Sequence, residues 1–134
     1  MHITGSCHCG AIRYEADVDP TMIRVCHCSD CQTFSGSAFR ISIRAVPGSL
    51  RIGAGNPRVY TKTAESGNRI EQAFCDRCGS HVFGTVPGSE PKLCSIRLGT
   101  IHQRDQLRPV AQIWTRSRLP WVVELGTLPA TDTQ

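Results

Sequence analysis

Apolar and polar residues alternate along most of this chain, in short runs broken by glycine and proline. Ile12, Tyr14, Ala16 and Val18 alternate with Arg13, Glu15 and Asp17, which predicts a strand with one buried face, ended by Asp19-Pro20. After Ile23-Arg24-Val25, a second alternation sets Phe39, Ile41 and Ile43 against Arg40, Ser42 and Arg44 and is closed by Pro47-Gly48. Leu50–Ile52, Val59–Lys62, Arg69–Phe74, Val82–Gly84 and Leu93–Leu98 are further strand segments, with a hairpin turn at Glu65-Ser66-Gly67-Asn68. Pro109–Trp114 and Leu119–Leu125 are read as a closing strand and a Trp packed on the core, with a loose end from Pro129. No segment carries the periodicity of a long amphipathic helix, so the expected fold class is mainly β.

Composition narrows this picture. With 134 residues, 40% of them hydrophobic, the chain is long enough for one domain with a modest core, expected over residues 1–128, followed by a flexible tail at 129–134. The start, Met1-His2-Ile3-Thr4-Gly5-Ser6, lacks the basic and then apolar run of a signal peptide, and charged residues or glycine interrupt every apolar segment before membrane-spanning length. A soluble, cytoplasmic protein without membrane partners is the expectation. The formal charge of +4 is modest, and all but two of the fifteen basic residues are Arg. Scattered Arg suits small carboxylates, and without a basic run or interleaved aromatics nucleic acid is not an expected partner.

The eight cysteines carry the candidate chemistry. In a reducing compartment they read as metal ligands in preference to disulfides. Cys7 and Cys9 face the same way in an extended chain, and His8 faces the other. Cys26 and Cys28 share a face for the same reason, and a turn over Ser29 and Asp30 brings Cys31 round to them. Cys75-Asp76-Arg77-Cys78-Gly79 has the form of a zinc knuckle. A closed site of four thiolates can be made from Cys7 and Cys9 with Cys75 and Cys78, or from Cys75 and Cys78 with part of the central triplet. The first pairing uses all seven clustered cysteines and is favoured. The triplet then supplies three ligands, and its fourth position falls to water, a substrate thiolate, His27 or His81, unless a protein side chain closes it permanently. His81 alternatively orients a sulfur. Cys94 shares a face with Ile96 and Leu98 and is read as a core residue.

Three motifs, Gly5-Ser6-Cys7-His8-Cys9-Gly10, Cys26-His27-Cys28-Ser29-Asp30-Cys31 and Phe74-Cys75-Asp76-Arg77-Cys78-Gly79, together resemble the glutathione-dependent formaldehyde-activating enzyme family, which includes centromere protein V. The resemblance extends to Pro120-Trp121. It implies a β-tent of packed antiparallel sheets stabilised by zinc, with two zinc ions per chain. By the same resemblance Cys7, Cys9, Cys75 and Cys78 hold a structural zinc, and Cys26, Cys28 and Cys31 hold a catalytic one. Members commonly carry His where this chain has Gln112.

The implied activity is that of a carbon–sulfur lyase of the S-(hydroxymethyl)glutathione synthase type, with a small thiol and a small aldehyde as partners. Arg40, Arg44 or Arg69 would receive the carboxylates of glutathione. The rival expectation is a non-enzymatic, zinc-stiffened binding module or a carrier of the thiol adduct.

Overall fold

The computed structural model describes residues 1–133. Its nine strands are β1 (His2–Ser6), β2 (Arg13–Cys26), β3 (Arg40–Ala45), β4 (Arg51–Ala54), β5 (Arg58–Thr63), β6 (Arg69–Phe74), β7 (His81–Thr85), β8 (Cys94–Arg97) and β9 (Ala111–Ile113), with a short helix α1 (Ser29–Ser35) between β2 and β3. Of the expected tail, Gln134 lies outside the described residues. The fold is mainly β and antiparallel throughout, except where β9 runs parallel to β2.

β2 is the spine. Its first half is flanked by β1 and β4, and its second half by β3 and β9. From β3 the larger sheet continues through β8, β7 and β6 to the edge strand β5. The expectation that Asp19-Pro20 ends the first strand was therefore wrong. The pairing of β2 with β3 shifts register between Val18 and Ile23, and Pro20 sits inside that irregularity, where its missing N–H breaks no ladder. The irregularity lets one strand turn from the first sheet into the second.

The alternation itself is as expected. Tyr14, Ala16 and Val18 from the first half of β2, Ile43 from β3, Ile96 from β8 and Ile3 from β1 enter a single buried cluster. Fully burying each of the large aliphatic side chains contributes about 1.5–3 kcal/mol. Cys94 is buried in the same cluster. The opposite face of β3 and β8 carries Arg40, Ser42, Arg44, Ser95 and Arg97, which line a cavity.

The C-terminal reading needs correction. Only Ala111–Ile113 is a strand, Pro120–Thr127 is a 3₁₀ helix, and neither tryptophan is packed on the core: Trp114 is 42% and Trp121 48% exposed. β9 is a three-residue edge laid against β2 with all its residues exposed, so it has no buried face on which to seat an indole. Trp114 has φ of 57°, an uncommon backbone for a bulky residue, and Arg116 lies 4.8 Å over its ring.

Candidate functional site

The seven clustered cysteines gather in two groups, four and three. Cys7, Cys9, Cys75 and Cys78 have all their sulfurs within 4.8 Å of one another, and so do Cys26, Cys28 and Cys31. Cys94 joins neither group.

In the first group the local reason differs from the one read in the sequence. Cys7–Gly10 is a turn, not an extended segment: the Gly10 amide donates to the Cys7 carbonyl at 3.0 Å, and Gly10 takes φ of 75°. Cys7 and Cys9 sulfurs lie 3.6 Å apart and Cys9 and Cys75 sulfurs 3.8 Å apart. The knuckle closes in the same way, with the Gly79 amide donating to the Cys75 carbonyl at 2.8 Å and Gly79 at φ of 72°. Amide and hydroxyl donors point at the sulfurs. Ile12 N–H donates to Cys7 Sγ at 3.3 Å, and the Ser80 hydroxyl, 3.3 Å from Cys78 Sγ, with the Ser80 amide holds the Cys78 thiol down to about 5.

In the second group Cys26 ends β2, and Cys28 is the N-cap of α1, its sulfur accepting from the Cys31 amide at 3.4 Å. The turn expected over Ser29 and Asp30 is the first turn of that helix, which the sequence reading missed because seven residues are too few to display a helical period. Cys26 and Cys28 sulfurs are 3.5 Å apart. The protons within the triplet are unequally shared: a hydrogen bond from Cys31 lowers Cys26, and the same bond, with burial, raises Cys31.

Both donor sets fit zinc. Tetrahedral thiolate coordination at about 2.3 Å places sulfurs roughly 3.8 Å apart, close to the separations already present. Neither His27 nor His81 belongs to either set of ligand atoms. His27 is fully buried, turned to Gln112 with Nε2 2.8 Å from Gln112 Oε1, and meets Phe39 edge to face. His81 stacks on Phe74 and lies against Phe34, and burial, reinforced by Arg97 and Arg40, lowers its pKa.

The triplet opens onto a cavity of about 750 Å³, whereas none of the four-thiol group lines it. Its walls carry Arg24, Arg40, Arg44, Lys62, Arg97 and Arg116 against the acidic Asp30 and Glu65. Asp30 is paired with Lys62 and Glu65 with Arg116, so the surplus charge is positive. Of the three arginines expected to meet carboxylates, Arg40 and Arg44 line this cavity and Arg69 does not. The sequence reading missed Arg24, Lys62, Arg97 and Arg116. The alternation of Ser95 and Arg97 against Cys94 and Ile96 was the available signal for Arg97.

Comparison with known proteins agrees with the geometry. Residues 2–117 match the sequence profile of the glutathione-dependent formaldehyde-activating enzyme family. A Halomonas elongata protein, provisionally named a glutathione-dependent formaldehyde-activating enzyme, is 32% identical over 87 residues, which cover 62% of this chain and 55% of that protein. The chain thus matches little more than half the length of that relative. In three dimensions it is similar to a crystal structure of a Rhodobacter sphaeroides protein, with a TM-score of 0.62 at 23% identity over 81% of this chain and 98% of the other. On the match across residues 2–117, the chain belongs to the glutathione-dependent formaldehyde-activating enzyme family.

Proposed function

We propose that this protein is a zinc-dependent carbon–sulfur lyase that joins a small thiol of the glutathione type to formaldehyde or a related small aldehyde. The observation that carries the reading is the three-thiol cluster of Cys26, Cys28 and Cys31 at the wall of a positively charged cavity. Three protein ligands are the usual complement of a working zinc site and four that of a structural one. On this reading Cys7, Cys9, Cys75 and Cys78 hold the structural ion. The eight cysteines are free thiols, which suits a reducing compartment, so a cytoplasmic location belongs to the same proposal. Among the described residues no helix is long and apolar enough to cross a membrane.

A zinc ion held by Cys26, Cys28 and Cys31 would supply a Lewis acid that favours the ionised form of a thiol near neutral pH. The chain's own residues do the rest. Cys26, Cys28 and Cys31 set the position at which the thiol sulfur arrives. The basic walls favour a thiol that carries carboxylates, by charge and by the forked geometry of arginine. In the reaction the thiol sulfur forms a bond to the carbonyl carbon, the carbonyl π bond breaks, and the thiol's proton ends on the new hydroxyl.

The test is adduct formation from glutathione and formaldehyde followed with the zinc-loaded protein. The expected result is a rate above the spontaneous one that Cys28→Ser returns to background. A zinc-loaded preparation that neither binds glutathione nor exceeds the spontaneous rate would sink the proposal, and binding without acceleration would favour a carrier of the adduct.

A further inference from the structure

We propose that Arg40 and Arg97, joined through Gln72, form a carboxylate-binding site on the cavity floor beside the Cys26, Cys28 and Cys31 cluster. The inference deepens the lyase reading and rests on it for the class of ligand.

Arg97 is 7% exposed, a degree of burial arginine rarely tolerates without a partner of opposite charge. Its Nη1 donates to Ser42 Oγ at 2.9 Å and its Nη2 to Gln72 Oε1 at 2.7 Å, while Nε has no partner. To reach Gln72 on β6 from β8 the side chain crosses β7 at Gly84. That residue is the register partner of both Gln72 and Ser95, and a Cβ there would lie 2.7 Å from Arg97 Nη2. The absence of a side chain at position 84 is thus what lets the guanidinium lie across the sheet. Arg40 sits opposite Cys26 in the ladder between β2 and β3, and its Nη1 reaches the same Gln72 oxygen at 3.2 Å.

Two cations therefore converge on one neutral carbonyl oxygen, and among the described residues no carboxylate pairs with either. A buried guanidinium without a counter-charge is costly. Burial draws the pKa of Arg97 below its usual value, and Arg40 adds to the effect. Three thiolates on a divalent ion offset one of the two positive charges. A single bound carboxylate offsets the other and can take N–H donors that both guanidinium groups have left over. That carboxylate belongs either to the thiol, as in glutathione, or to the carbonyl partner, as in a 2-oxo acid.

Isothermal titration of the zinc-loaded full chain separates these sources without relying on turnover. The probes are glutathione, glutathione diethyl ester, glyoxylate and the carboxylate-free 2-mercaptoethanol, and the variants are Arg40→Met and Arg97→Lys. Losing a charge-assisted hydrogen bond of this kind weakens binding by about tenfold or more. A thiol-borne carboxylate predicts that loss for glutathione in both variants but not for its diethyl ester. A carbonyl-borne one predicts it for glyoxylate and leaves glutathione unchanged. In either case 2-mercaptoethanol affinity and zinc content should stay at wild-type values. The site is disproved if no carboxylate probe weakens in Arg40→Met, if 2-mercaptoethanol weakens in parallel, or if both variants lose zinc, which would mean that the arginines serve only the thiolates. Should Arg97→Lys fail to fold, Arg40→Met decides alone, because Arg40 is only partly buried. If the lyase reading fails, it does so in the rate assay, and the binding result stands apart from it.

Discussion

At the scale of single residues, His27 is fully buried next to a cysteine of the triplet yet is partnered outside it. His27 follows Cys26 directly, yet strand alternation carries its ring away from the sulfurs to Gln112. Gln112 is thus a partner for a buried imidazole and a tie between β9 and the loop that begins the triplet, where the His27 amide also donates to the Ile113 carbonyl at 3.1 Å. Gln112→Leu should cost about 1 kcal/mol in urea denaturation by stranding His27 Nε2, with zinc content unchanged; no loss of stability would mean that solvent replaces the amide. The sequence made His27 a candidate ligand because neighbours in sequence are easy to see. Its true partner lies 85 residues away.

At the scale of elements, α1 positions two of the triplet's sulfurs, one as its N-cap and one in its first turn. Its carboxyl end closes with Gly36 in the left-handed region at φ of 60°. Gln32 ties the helix to the later chain, donating from Nε2 to the His27 carbonyl at 2.7 Å and the Ser117 carbonyl at 3.0 Å. Serine is a strong N-cap, so Cys28→Ser keeps the cap while removing one of the three thiols proposed to hold metal. Metal analysis of Cys28→Ser should find one ion fewer per chain in a protein whose circular dichroism and melting temperature stay near wild type. Cys78→Ser, which would break the proposed metal link between the knuckle and the N-terminal turn, should instead lower the melting temperature markedly. Equal unfolding of both variants would contradict the division into structural and working sites. Most of the strands were legible from alternation, but β1 and α1 were not, and Pro20 was mistaken for an end because its place at a register shift is a property of paired strands.

At the scale of the whole molecule, the four-thiol cluster brings together the turn after β1 and the knuckle after β6, with Cys9 and Cys75 66 positions apart in sequence. A metal ion closing a loop of that length would remove conformational freedom from the unfolded chain, so a chelator should strip metal in two stages and destabilise the protein at the second. On the proposed roles, an ion held by only three thiols at the cavity wall should leave first with little change in melting temperature, and one held by all four thiols of the other cluster second with cooperative unfolding; simultaneous release would argue against separate roles. Sequence alone determined the mainly β class, the buried faces of the strands and the three cysteine groups, because alternation and ligand spacing act over a few residues. Only the tertiary structure decided that the sulfurs gather four and three, that β2 spans both sheets, and that Arg97 enters the cavity while Arg69 does not. Those outcomes depend on strand order and on which face of the sheet the second half of the chain presents, and no local pattern encodes either.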